Sequence, residues 1–240
     1  MKKLLFTIMS MMLAITPAAA EPPTSMDAHQ TTEISSSFTS TERRVRNAAV
    51  RVVTPQGHGS GGLISYRDVD LVLTAHHVAD GALGQTYLVS TAHEQKWGIL
   101  IYKDPLNDIA ILYLPIKFEH ATPMRWRPRS ELITVGQQIT YSGHPSWHSL
   151  MSFRGHVAGF ETHPEAGQQI ILQTYGYFGC SGSVVYDSEG RIVGILWGID
   201  VSRDGVQENI VWVSPIQKLD IKLALTPLCN GLPEKLRACR

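Results

Sequence analysis

Beyond Ala48 the chain reads as a series of short apolar runs, each cut off by Gly, Pro, Asn or Asp. Ala48–Val53, Gly62–Ser65, Leu71–Thr74, Gln85–Val89 and Ile109–Leu114 make up the first half of the series. Gln138–Tyr141, Gly155–Gly159, Gln169–Gln173, Gly182–Tyr186, Ile192–Leu196 and Asn209–Val213 make up the second. Runs this short, rich in Val and Ile and separated by turn residues, predict an all-β barrel or sandwich. Helical signals are few. Glu42–Arg46 reads as a short helix, and Pro215–Leu225 has apolar residues at helical spacing, which predicts a short C-terminal helix. The stretch from Leu114 to Ser130 holds three prolines and is the natural link between two halves. No internal repeat is visible.

The first residues have a different pattern. Lys2 and Lys3 precede an almost unbroken apolar run from Leu4 to Ile15, and Ala18-Ala19-Ala20 supplies small residues for cleavage. Residues 1–20 therefore read as a signal peptide cut after Ala20, and the mature chain is expected to be secreted or periplasmic. The run is short for a bilayer span, and no later segment approaches its length, so no membrane partner is expected after cleavage. Residues 21–40, rich in Pro, Ser and Thr, read as a flexible leader.

Over 240 residues, 43% are hydrophobic and 18% charged, enough to form a real core. Acidic and basic residues balance at 21 each, without a long run of one sign, which gives no reason to expect a nucleic acid partner. Export permits disulfides. Cys229 and Cys239, flanking Asn230-Gly231 and Pro233, could staple a C-terminal tail over 226–240, which leaves Cys180 unpaired.

Three segments carry chemistry, in the order His, Asp, Ser. Leu73–Ala79 delivers His77 at the end of an apolar strand, and Asn107-Asp108 stands immediately before one. Gly179-Cys180-Ser181-Gly182-Ser183 is a tight turn entering another. A serine hydroxyl needs an imidazole to take its proton, and a carboxylate to hold that imidazole in one tautomer. The oxyanion that forms needs donors already in place, which the backbone N–H groups of Gly179 and Ser181 can supply.

These segments resemble the trypsin-like serine peptidases, most closely the bacterial periplasmic heat-shock branch. Gly59–Ile64 is similar to that branch's glycine-rich first strand. Thr74-Ala75-His76-His77-Val78 is similar to its histidine motif and Asp104–Ala110 to its aspartate motif. Gly143-His144-Pro145 is similar to the entry to its second barrel, and Gly179–Ser183 to its serine motif. The resemblance covers about residues 45 to 220. It implies two packed antiparallel β-barrels of the chymotrypsin type within a protease domain over 41–225, with a cleft between them. It also implies a serine endopeptidase with His77, Asp108 and Ser181 as its triad and a protein or peptide as substrate. Substrate would lie extended along Leu196-Trp197-Gly198, with Tyr175 and Tyr177 in a wall of the primary pocket. Aromatic bulk and no acid there suit small or medium apolar side chains better than Lys or Arg.

Rival readings remain open at this level. His76 competes with His77, and Asp104 or Asp80 with Asp108. A cysteine nucleophile would have to be Cys180, but the residue directly before the glycine is Ser181; Cys180 reads as a small buried hydrophobe. Relatives activated by clipping carry an acid at that position, so a chain with Cys180 there is expected to need no activating cut. The ten histidines show no metal-ligand spacing, so no metal or other cofactor is expected. Arg125, Arg127 and Arg129 alternate about Trp126 and read as a solvated basic patch. A binding protein that keeps the fold without turnover, or an esterase on the same triad, are the competing functions. The sequence leaves oligomeric state open.

Overall fold

The computed structural model describes residues 37–202, 205–231 and 239. The expected signal peptide, most of the leader and most of the C-terminal tail lie outside the described residues.

Two closed antiparallel barrels account for nearly all of the regular structure. The first comprises β1 (Ala49–Thr54), β2 (Gly57–Tyr66), β3 (Val69–Thr74), β4 (Thr86–Ser90), β5 (Gln95–Asp104) and β6 (Ile109–Tyr113). They run in the order β1-β4-β5-β6-β3-β2, and β1–β2 pairing closes the ring. A two-residue strand, β7 (Met124–Arg125), adds to the outer side of β2 within the proline-rich link. The second barrel comprises β8 (Gln138–Gly143), β9 (Met151–His163), β10 (Gly167–Gln173), β11 (Val184–Asp187), β12 (Ile192–Ser202) and β13 (Gly205–Pro215), in the order β10-β13-β12-β11-β8-β9. This is the chymotrypsin-like architecture.

Each barrel fills its interior with its own apolar residues. Val50, Val52, Leu63, Leu71, Leu73, Leu100 and Ile111 pack in the first, and Ile139, Tyr141, Val157, Leu172, Val193 and Val213 in the second. β3 is buried along its whole length, because its outer face is covered as well. That is why its sequence reads as an apolar run rather than an alternation. β5 has no counterpart among the expected strands, although it holds an apolar run over residues 97–102 bounded by Lys96 and Lys103.

Helix α1 (Ser40–Ala48) bridges the barrels. Thr39 caps it in a reciprocal box with Glu42, and Glu42 also receives the Arg154 guanidinium from β9. At the other end, the single helix expected over 215–225 is divided. Pro215 closes β13, a 3-10 turn covers Ile216–Lys218, and α2 (Ile221–Ala224) starts afresh at the Asp220 cap. Pro227 has no N–H to continue α2, so a separate α3 (Thr226–Gly231) follows. Cys229 in α3 is bonded to Cys239, with the two Cα atoms 5.4 Å apart.

Of the alternating arginines, Arg125 and Arg127 are exposed as expected, and Arg129 is not. Arg129 is largely buried and bonded to Asp187 at 2.8 Å, and Arg127 faces Glu189 at 3.6 Å. These pairs tie the link to the β11–β12 turn.

Candidate active site

β3 ends at Thr74, and the chain turns at once: Val78 and Ala79 N–H both return to the Ala75 carbonyl. Buried Ala75, Val78 and Ala79 anchor this turn and leave His77 facing outward. On the neighbouring strand, the Asp104 carboxylate accepts Asn107 N–H at 3.1 Å and its side-chain amide at 2.6 Å. That closes the hairpin and places Asp108 at its exit with φ +51°. This left-handed conformation is rare for residues with a side chain, though Asp tolerates it better than most. Asp108 then meets His77 twice. Oδ1 accepts the His77 backbone N–H at 2.8 Å, and Oδ2 lies 2.6 Å from Nδ1. An acid on Nδ1 leaves Nε2 as the free basic nitrogen. His76 has no such partner among the described residues, and its Nδ1 is buried without a hydrogen bond. Asp104 is engaged with Asn107, and Asp80 is exposed.

The turn of Gly179–Gly182 is held peptide by peptide. The Phe178 carbonyl accepts Ser146 N–H at 2.6 Å, and the Cys180 carbonyl accepts Ser183 N–H at 3.0 Å. A trans peptide points its N–H opposite its carbonyl, so the Gly179 and Ser181 N–H groups are turned the other way. Neither has an acceptor among the described residues. Both glycines are required here. Gly179 has φ +94°, and a Cβ there would meet the His144 carbonyl and stand 2.9 Å from His58 Nε2. Gly182 has φ +90°, and a Cβ would collide with the Ser60 carbonyl and the Thr74 hydroxyl. The Ser181 hydroxyl is turned toward the Trp197 carbonyl at 3.4 Å, and it makes no hydrogen bond to His77 among the described residues.

That carbonyl is exposed by a bulge. Leu196 pairs with Val213 and Gly198 with Trp212, so Trp197 is an extra residue without a partner on β13. Bulges of this kind recur beside active sites because they re-aim one residue. β11 pairs with β12 only as far as Ile195, and the N–H and carbonyl of Leu196 bond Ser183 and Gly182. Past Leu196, no strand among the described residues covers that edge of β12. Of the expected substrate-binding residues, Trp197 and Gly198 lie on this edge. The Leu196 side chain is in the core of the second barrel.

Tyr175 and Tyr177 lie in the segment before the turn. Tyr175 is stacked on Phe153 with ring centroids 5.4 Å apart, and its carbonyl accepts the Tyr141 hydroxyl. Gly176 N–H bonds the Glu208 carbonyl at 2.7 Å. A Cβ on Gly176 would stand 2.7 Å from Val211 Cγ2 and 2.9 Å from Ile199 Cγ2, so apolar groups close on this segment from the opposite strands.

Burial sets the state of two groups beside the turn. The Cys180 thiol is fully buried, and burial pushes its pKa up to about 11, which keeps it protonated and a poor nucleophile. His144 is brought down to about 3, chiefly by burial and then by the charge of Arg51, so its ring is neutral. Its carbonyl lies 3.0 Å from His58 Nε2, and burial lowers His58 as well. Ser60, His58, His144 and Ser146 are contributors that sequence reasoning missed as individuals. Ser60 and His144 stood inside recognisable motifs, but nothing in the sequence indicated their partners. Among the described residues, no cluster of three or more His, Cys, Asp or Glu side chains could hold a metal ion.

The trypsin-like peptidase domain model matches residues 59–195, more than half of the chain, and the chain belongs to that family. It is thus a serine endopeptidase by family, a hydrolase whose fold implies protein or peptide substrates. No curated protein matches the sequence. Among solved structures, the Rv3671c protease of M. tuberculosis in its active form is similar over 83% of this chain and 88% of its own, at 17% identity and a TM-score of 0.62. The inactive form of the same protease is similar over 73% of this chain and 87% of its own, at 17% identity and a TM-score of 0.59. The HtrA-type protease AlgW with a tripeptide is similar over 77% of this chain, at 22% identity and a TM-score of 0.64; the alignment spans 62% of AlgW. At these identities the likeness concerns the fold.

Proposed function

We propose that this chain cleaves internal peptide bonds through an acyl-enzyme formed on Ser181. His77 takes the Ser181 proton as the hydroxyl attacks the scissile carbonyl, and returns it to the leaving amine. Water then attacks the ester with His77 as base again, releasing the second product and restoring the hydroxyl. Asp108 holds the tautomer and stabilises the imidazolium. The N–H groups of Gly179 and Ser181 donate to the oxyanion. For the proton transfer the hydroxyl, now directed at the Trp197 carbonyl, has to turn to His77.

The observation that carries this reading is the coincidence of two arrangements. An acid fixes the imidazole of His77, and two N–H groups without acceptors flank the serine. A scaffold used only for binding has no need of either. Substrate would add as a strand to the open edge of β12 and donate to the Trp197 carbonyl, with sequence tolerance from main-chain bonding. A primary pocket walled by Tyr175 and Tyr177 would take a small or medium apolar side chain, because Val211 and Ile199 pack directly on Gly176 in that segment. Export is part of the same proposal: Lys2-Lys3, the apolar run and Ala18-Ala19-Ala20 make a signal peptide, and the Cys229–Cys239 bond suits an oxidising compartment. We place the protease unit at 41–225.

A fluorophosphonate probe tests the nucleophile. Modification of Ser181, located by peptide mapping and lost in Ser181→Ala, is expected, together with cleavage of a protein substrate. No modification would leave a binding protein, and ester hydrolysis without peptide cleavage would leave an esterase.

A further inference from the structure

Resting on that reading, the inference concerns what keeps the oxyanion turn ready in a chain that lacks the acidic residue used by clipped relatives. We propose that Ser60 is a positioning residue that locks the Gly179–Ser181 turn in its anion-accepting form before substrate arrives, so that no activating cut is needed.

Ser60 is completely buried on β2, and every polar group it has is engaged. Its backbone N–H donates to the Ser181 carbonyl at 2.7 Å. Its hydroxyl donates to the Gly179 carbonyl at 2.7 Å and accepts His144 N–H at 2.9 Å. Its own carbonyl accepts the Thr74 hydroxyl at 2.7 Å, at the strand end that delivers His77. One residue of the first barrel therefore grips the carbonyls on both sides of Cys180. The same hydroxyl fixes His144, two residues before Ser146, whose N–H holds the Phe178 carbonyl. Reversal of the Phe178–Gly179 peptide would close the site by turning a carbonyl into it, and that reversal must break the Ser146 bond. Rotation of the next peptide must break the Ser60 bond. Cys180, buried and protonated, offers no charge with which an N-terminal amine could do the same work. The turn is thus held across the barrel interface by hydrogen bonds already present in the uncut chain.

Two experiments on Ser60→Ala test the inference. Against a peptide substrate, kcat is expected to fall about tenfold to a hundredfold while KM changes less than about twofold, because a misplaced N–H weakens only the transition state. Affinity for a peptide boronate, which forms a tetrahedral anion on Ser181, should fall by the same factor. In the absence of turnover, unliganded crystal structures of Ser181→Ala and Ser60→Ala/Ser181→Ala compare the turn directly. A reversed Phe178–Gly179 peptide in the double variant supports the lock. Unchanged kcat and boronate affinity, or an unmoved turn, overturns it. Activity of the wild-type chain only after a cut near residues 40–50 would also overturn it. If the wild type is inert toward the probe yet the peptide reverses, the lock stands and the catalytic reading fails. Should Ser60→Ala not fold, Ser60→Cys, similar in size but a weak donor, takes its place in both experiments.

Discussion

A single carboxylate holds both the backbone and the ring of His77: Asp108 Oδ1 accepts the backbone N–H at 2.8 Å while Oδ2 faces Nδ1 at 2.6 Å. The first bond sets where the residue stands, and the second sets which nitrogen carries the proton. Asp108→Asn separates the two roles. Asparagine matches aspartate in shape and tolerates φ +51° equally well, so the fold should persist. Its amide can offer an N–H to Nδ1 and so stabilise the tautomer with no lone pair toward serine. We expect kcat near neutral pH to fall by about 10⁴-fold with little change in melting temperature. Peptide hydrolysis and thermal melting, measured side by side, check this, and a loss below tenfold would remove Asp108 from the proposed mechanism.

His144 gives the fold a dependence on pH. Its pKa is about 3 in the folded chain against an ordinary value of 6.5, because burial and the charges of Arg51, His58 and Arg46 oppose its protonation. Between those limits the unfolded chain binds a proton that the folded chain refuses, so stability must decline as pH falls through this window. The slope contributed is up to about 1.4 kcal/mol per pH unit. Urea denaturation from pH 7.5 to 4.5 should show the decline, and His144→Asn should flatten it.

The fold was legible where burial is one-sided or complete. β3 and β6 announce themselves because nearly all of their positions are buried, and the short spacing of the runs left little room for helices. β5 was less legible: its apolar run over 97–102 mixes exposed Trp97 with buried Gly98, Leu100 and Ile101, so it shows neither alternation nor full burial. The helix expected over 215–225 is divided because the Asp220 side chain accepts the N–H groups of Lys222 and Leu223 and so starts a new helix, which the apolar spacing does not reveal. At the site, His77, Asp108 and Ser181 were named from short motifs that resemble those of the trypsin-like peptidases, and of these the structure brings His77 and Asp108 into contact. Ser60 and Ser146 could not. Their contribution is a hydrogen bond to a backbone carbonyl more than thirty positions away in Ser146 and further in Ser60, and a backbone partner leaves no mark on the sequence.

Primary specificity should follow the apolar closure around Gly176. Val211 and Ile199 pack so closely on Gly176 that a Cβ there would collide with them, and neither carries a countercharge for a basic side chain. A fluorogenic peptide library is expected to favour Ala, Val or similar residues on the N-terminal side of the cut. Preferred cleavage after Lys or Arg would refute this assignment.

Glu42 fastens α1 to the second barrel. The Arg154 guanidinium, bonding at 2.8 Å to Oε2 and also to Oε1, is the main cause that lowers the Glu42 pKa from 4.5 to about 2. A carboxylate depressed in this way adds stability above its ordinary pKa and loses it as pH falls through about 2. Glu42→Gln weakens the Arg154 bonds while leaving an acceptor for the Thr39 N–H. It should cost about 2 kcal/mol at pH 7 and about half of that at pH 3. Denaturation curves of both chains at the two pH values decide the point.

The Cys229–Cys239 bond should matter for stability and not for turnover. It closes a short loop, with a sequence separation of 10, and fixes α3, whose Leu228 is buried against the first barrel. α3 packs on β5 and α2, elements that carry none of His77, Asp108 or Ser181. A loop of this length removes enough freedom from the unfolded chain to give about 2–3 kcal/mol. For a domain of this size that corresponds to a fall of about 5–10 °C in Tm when both cysteines become serine. Differential scanning calorimetry of Cys229→Ser/Cys239→Ser against the wild type measures the fall, and kcat/KM of the two at a temperature below both transitions should agree within about twofold. A large loss of kcat/KM with Tm unchanged would mean that the tail acts on the cleft rather than on the barrel wall beneath it.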